Sequence, residues 1–231
     1  MVNLEKDTTV LSFDPGKVNH AFSVTKFCVK KLSKFKPMRS KLVTTKDKML
    51  LVRNAGEEVL SSVKYLAVGK LEHPIADLKT DIVAEHGRFV KEVRGIINKY
   101  KPDLIVVERF QTRGGKAASF MGAILESVNI QIGTILSLAA TKKIPATIII
   151  AATWKNAVKH AGIKIDDVYK ANKKNPHVID AALMGIYLVG CLKYLNPVVY
   201  PVRYQELKAR MALVKDTKAA KPTKRKNKPA N

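Results

Sequence analysis

Leu104-Ile105-Val106-Val107 is apolar at four successive positions and runs straight into a carboxylate, Glu108. A half-exposed strand alternates apolar and polar residues. A run without alternation buries both faces, which marks a central strand covered on both sides and commits the chain to an α/β class. Tyr100-Lys101-Pro102-Asp103 breaks the chain just before it. Ahead of that break, in residues 75–99, Ile82, Val83, Phe89, Val90, Val93, Ile96 and Ile97 recur at helical spacing.

The other elements follow from the same signals. Residues 8–14 read as a first strand, stopped by the Asp14-Pro15-Gly16 turn signal, and residues 19–27 as a second strand completing a hairpin. Residues 49–60 suit either a strand or a short helix, and residues 65–71 a third strand. Gly114-Gly115 precedes a long helix over 117–140, then a buried strand over 145–152, and shorter helices over 153–161 and 165–171. Asn175-Pro176 opens a last helix that runs to about residue 194. This order predicts a mixed five-stranded sheet flanked by helices, antiparallel in its early strands and parallel in its later ones. The domain spans 8–195 after a lead of 1–7, with a Lys-rich insertion over about 28–62. A basic extension over 196–231 follows, expected to be disordered from about 215.

Charge narrows the partner. Lys and Arg number 42 against 19 Asp and Glu, a net charge of +23 in 231 residues. Such an excess favours nucleic acid, through release of counterions from phosphates. An anionic membrane surface or a ribosome-like scaffold is the plainer alternative, but no basic amphipathic helix stands out. The longest apolar stretch, residues 120–140, contains Glu126, Asn129 and Gln131 and reads as a buried helix, not a membrane span. Met1-Val2-Asn3-Leu4-Glu5-Lys6-Asp7 carries no secretory signal, and Cys28 and Cys191 have no metal-ligand spacing. The expectation is two buried thiols in a reducing, intracellular compartment.

Three acids sit where acids are costly. Asp14 and Glu108 end apolar strands, and Asp180 lies at the start of an apolar helical pattern. Each has a bland reading: a turn at Pro15-Gly16, an ion pair with Arg109 or Arg113, and a favourable helix macrodipole. Together they can converge at one sheet edge, and His177, three residues before Asp180, shares its helix face. Carboxylates are hard ligands for Mg²⁺ or Mn²⁺, and a neutral imidazole ligates Mn²⁺ or relays a proton. Two such ions hydrolyse a phosphodiester.

Phe13-Asp14-Pro15-Gly16, then Ile105-Val106-Val107-Glu108 followed by Phe110, then His177-Val178-Ile179-Asp180-Ala181-Ala182-Leu183 resemble the RuvC-type Holliday junction resolvases. That family belongs to the ribonuclease H-like (retroviral integrase) superfamily, and the resemblance covers about residues 8–195. It implies a ribonuclease H-like fold and a homodimer that cleaves four-way DNA junctions. It also implies a metal site of Asp14, Glu108, His177 and Asp180 holding two Mg²⁺, with Mn²⁺ able to substitute. An aromatic after the strand-end Glu is placed by the family in the junction's open centre, so Phe110 is either that wedge or core. Arg109, Arg113, Lys116 and Lys155 are candidate phosphate contacts or plain surface charges. Trp154 reads as core, Asp166-Asp167 as a helix start, and His20, His73, His86 and His160 as structural or exposed. Gly122, Ala123, Ser127 and Gly133 give one helix a small-residue face, which suits either a dimer, as in the family, or packing on its own sheet.

The basic insertion and the Lys-rich extension depart from compact bacterial members and resemble additions in viral or organellar ones. They point to host cytoplasm if the source is viral, with nucleus and mitochondrion left open. The rivals are a less selective nuclease for branched DNA or RNA and a non-catalytic nucleic-acid-binding protein on the same fold.

Overall fold

The computed structural model describes residues 7–28, 63–76, 81–109, 122–152, 154–155 and 175–193. The expectations for the insertion, for residues 110–121 and 156–174, and for the C-terminal extension lie outside them. Among the described residues there are eight elements: β1 (Thr8–Asp14), β2 (Ala21–Phe27), β3 (Val63–Lys70), α1 (Ile82–Tyr100), β4 (Leu104–Arg109), α2 (Gly122–Thr141), β5 (Ala146–Ile150) and α3 (Pro176–Lys193).

The five strands form one sheet in the order β3-β2-β1-β4-β5. β1 pairs antiparallel with β2, from Thr8 opposite Phe27 to Asp14 opposite Ala21. β2 pairs antiparallel with β3, with an irregularity between Val24 and Thr25. β1 and β4 are parallel, as are β4 and β5. This is the expected mixed five-stranded sheet, antiparallel in its early strands and parallel in its later ones. Leu104, Ile105, Val106 and Val107 are wholly buried, as a strand between two neighbours and two helical layers must be.

Helices α1 and α2 cover one face. Phe89, Val93 and Ile97 of α1 and Val128, Ile132, Ile135 and Leu138 of α2 form a core with Leu11, Phe13, Val24, Ile105 and Val107. Burying each such side chain contributes roughly 1.5–3 kcal/mol. Helix α3 covers the other face, where Val178 and Ala181 meet Ala21. That face is lined by Ser12, Ser23 and Thr25, all fully buried. A Cβ on Gly185 would lie 2.7 Å from Ser12 Oγ, so glycine lets α3 settle close on these hydroxyls.

Several boundaries differ from expectation, each for a local reason. α1 starts at Ile82, not at 75, because Asp81 caps it: its side chain accepts from the Ala84 N–H at 3.0 Å. Ile75 is instead fully buried ahead of the helix, and its carbonyl accepts from Gln131 Nε2 at 3.4 Å. α1 ends at Lys101 in the left-handed conformation, its N–H bonded to the Ile97 carbonyl. β5 stops at Ile150, its last residue paired with Arg109, and residues 151–152 are already helical. α2 is not buried all round. By length and composition, residues Ile124–Thr141 could cross a membrane. In the fold, Val128, Ile132 and Ile135 face the sheet while Ile130, Gly133 and Ser137 face outward. The small residues therefore do not share a face: Ser127 is buried and Gly133 exposed. Cys28, expected to be buried, is a half-buried free thiol just past the end of β2, where the sheet ends. The Cys191 side chain lies outside the described residues.

Candidate active site

Parallel neighbours bring their C-terminal ends to the same sheet edge, and that edge collects the acids. Phe13 pairs with Val107, so Asp14 and Glu108 are the next residues of adjacent strands. Both belong to the face that α3 covers. The first turns of α3 dock beside Ala21, which is opposite Asp14, and so carry His177 and Asp180 to the same place. Asp180 is the fifth residue of α3, and the first turn has no acid, so the macrodipole is a weak reason for its presence.

Each of the four side chains has a protein partner. His177 Nδ1 is 2.8 Å from Asp14 Oδ2, with Asp14 only 7 % exposed and His177 41 %. The carboxylate can only accept, so the ring Nδ1–H donates, and Nε2 is the nitrogen that remains for any other role. Asp180 Oδ2 accepts from Lys155 Nζ at 2.5 Å. Glu108 Oε2 accepts from the indole N–H of Trp154 at 2.8 Å. Among the described residues its hydrogen bond goes to Trp154 and not to Arg109; Arg113, the other arginine weighed for it, lies outside them.

The electrostatics are those of crowded carboxylates. Burial, then the charge of Asp14, pushes Glu108 up to about 7, against the opposing pull of Lys155 and the Trp154 bond. Burial also raises Asp180, although Lys155 pulls it down. For Lys155, burial works against the charged form, but the bond to Asp180 and the charge of Glu108 hold its pKa above the ordinary value. The bond to Asp14 raises His177, with burial in opposition.

Among the described residues, no three His, Cys, Asp or Glu side chains close on one point at metal-binding distance as they stand. The donor set nevertheless fits a hard divalent cation. Asp14, Glu108 and Asp180 influence one another electrostatically, and burial and mutual repulsion disfavour the charged forms of Glu108 and Asp180. A cation relieves that repulsion, once Asp180 turns from Lys155.

No protein-family model matches the chain, and no curated protein matches it. Solved structures do. RuvC of Thermus thermophilus is 15% identical with a TM-score of 0.46, over 79% of this chain and 94% of that one. T. thermophilus RuvC in complex with a Holliday junction substrate gives 14% and 0.47 over the same shares. The yeast mitochondrial Holliday junction resolvase Ydc2 gives 13% and 0.45, over 90% of this chain and 85% of that one. At these identities the likeness is one of fold, and the reading of the site rests on its own side chains.

The four candidate ligands lie at one sheet edge without closing on a single point, and Lys155 joins them, tied to Asp180 and 45 % exposed. Arg109 ends β4, exposed, at the same edge. Phe110, Arg113 and Lys116 lie outside the described residues. Two features escaped the sequence reading. Trp154 is core, as expected, at 1 % exposure, but it also holds Glu108. Behind Asp14, His20 bonds Gln131 at 2.6 Å in the interior. The signal for Trp154 was topological: a residue just past β5 lies beside the end of its parallel neighbour β4.

Proposed function

We propose that this chain is a metal-dependent, structure-selective endonuclease that resolves four-way DNA junctions as a homodimer. The observation that carries the reading is the meeting of Asp14, Glu108, His177 and Asp180 at one sheet edge, in a chain of net charge +23. Mg²⁺ or Mn²⁺, held by these four side chains, would polarise the scissile phosphate and acidify an attacking water. In the hydrolysis, a water oxygen bonds to phosphorus, one P–O ester bond breaks, and the leaving oxygen takes a proton. With its Nδ1–H given to Asp14, His177 has only Nε2 to offer, as a ligand to the ion or, when off the ion, as the group that gives or takes that proton. Lys155 keeps a firm positive charge beside Asp180 and is the side chain that can follow the phosphate when the acid turns to a cation. Arg109 extends the basic edge. A four-way junction needs two symmetric cuts, which an isologous pair of sites supplies. The outward face of α2, with Ile130, Gly133 and Ser137, is the surface we assign to the second copy.

The test is cleavage of a synthetic four-way junction beside a matched linear duplex, with and without Mg²⁺. Asp14→Asn, Glu108→Gln and Asp180→Asn should each lower cleavage at least about 10³-fold while junction affinity holds, since phosphate contacts supply the affinity. Near-wild-type cleavage by any one of them removes that residue from the site. Equal cutting of duplex and junction defeats the structure selectivity.

A further inference from the structure

We propose that Trp154 is a positioning residue for Glu108, one that fixes the carboxylate by a single hydrogen bond and leaves its remaining lone pairs to a metal ion. The inference rests on the nuclease reading of the same site. Trp154 is 1 % exposed, so its ring has one place to be and its N–H one direction to point. That direction is Glu108 Oε2, 2.8 Å away. A buried indole needs an acceptor, and any backbone carbonyl in reach would serve if packing were its whole role. Here the acceptor is the carboxylate of a candidate ligand. An indole N–H is only ever a donor, so the orientation it imposes does not change with pH.

The next residue extends the device. Lys155 Nζ lies 5.1 Å from the centre of the Trp154 ring and bonds to Asp180. A two-residue step just past β5 thus holds one acid from a strand and one from a helix. With Glu108 held through Oε2, Oε1 is left without a bond to the indole. Outer partners of this kind typically tune metal affinity or activity about 10- to 100-fold.

The chain has one tryptophan, so replacing tryptophan biosynthetically with benzothienylalanine changes this site alone. Sulfur takes the place of the N–H, and the shape is kept. Three quantities are read well below the melting temperature of each protein. They are kcat and KM on a four-way junction, Mn²⁺ affinity from the electron paramagnetic resonance of free Mn²⁺, and exchange of the one indole N–H in ¹H–¹⁵N spectra of the tryptophan form. We expect kcat and Mn²⁺ affinity to fall about tenfold or more while KM for the junction holds. Indole exchange should speed up in Glu108→Ala. Unchanged kcat and Mn²⁺ affinity in the analogue protein, or an indole signal indifferent to Glu108→Ala, overturns the positioning role and leaves the nuclease reading standing. A tryptophan form that neither cleaves junctions nor binds Mn²⁺ overturns both.

Discussion

His20 sits wholly inside the fold, edge-on to Phe13 with ring centres 5.6 Å apart and 5.5 Å from Phe89. Gln131 points its Nε2 toward the Gly16 and Ile75 carbonyls, which turns its Oε1 to the imidazole. His20 Nδ1 therefore carries the proton and donates, and the buried Nε2 has no hydrogen-bond partner. Burial lowers the ring's pKa from 6.5 to about 4, against the pull of the Gln131 bond and the charge of Asp14. An unfolded chain takes up this proton between those values and the folded one does not. Stability is therefore full above about pH 6.5 and declines as the pH falls towards 4, by up to about 3 kcal/mol. Urea unfolding from pH 7 to pH 4 should show that decline in the wild type and a flatter curve in His20→Gln, whatever the variant's stability at pH 7. Parallel curves would mean that other groups set the acid limit. The histidine reads as inert from sequence because nothing local reports that Gln131, 111 residues away, is its partner.

At the level of elements, α3 is held close to the sheet by an absence. Gly185 faces Ser12, whose Oγ is buried without a hydrogen-bond partner, and Ser23 and Thr25 satisfy each other alongside at 3.1 Å. A methyl group at 185 meets Ser12 Oγ at 2.7 Å, with packed helix and strand behind each. Gly185→Ala should cost about 1–3 kcal/mol in urea melts through overpacking, despite alanine's better helix propensity. Ser12→Ala leaves the second Cβ where it was but removes the hydroxyl, so the double variant should recover most of the loss, a coupling read from the four-protein cycle. Additive losses would show that Gly185 matters to the helix and not to this contact. The same elements show what the sequence discloses. β4 was legible because burial on both faces leaves an unbroken apolar run, and the hairpin because Asp14-Pro15-Gly16 can hardly do anything but turn. The convergence of Asp14, Glu108 and the His177–Asp180 pair was legible because strand ends and helix spacing fix it. The start of α1 was not, since apolar spacing continues through Ile75 and only the Asp81 cap decides the boundary. Nor was the Trp154–Glu108 bond, because it depends on which way a side chain points after β5 ends.

For the whole molecule, the proposed function gives affinity and selectivity separate sources. Residues 215–231 hold seven Lys and Arg, at 215, 218, 221, 224, 225, 226 and 228, against one acid, Asp216, with no large apolar side chain among them. A sequence of that composition can neutralise phosphates but cannot measure the angle between DNA arms, because it lacks the apolar residues that would build a surface of fixed geometry. On our proposal, selectivity comes from the sheet edge that positions Asp14, Glu108 and Asp180 and from a second copy of that edge related by symmetry. Removing residues 215–231 should therefore weaken binding to four-way junctions and to linear duplex by the same factor. The slope of log affinity against log salt should become shallower by about 0.9 for each phosphate that is no longer neutralised. Fluorescence anisotropy over a salt series on both DNAs measures each quantity, and the ratio of the two affinities should hold. Loss of that ratio with duplex affinity intact would make the basic segment the reader of DNA shape, and the sheet edge no more than the place of cutting.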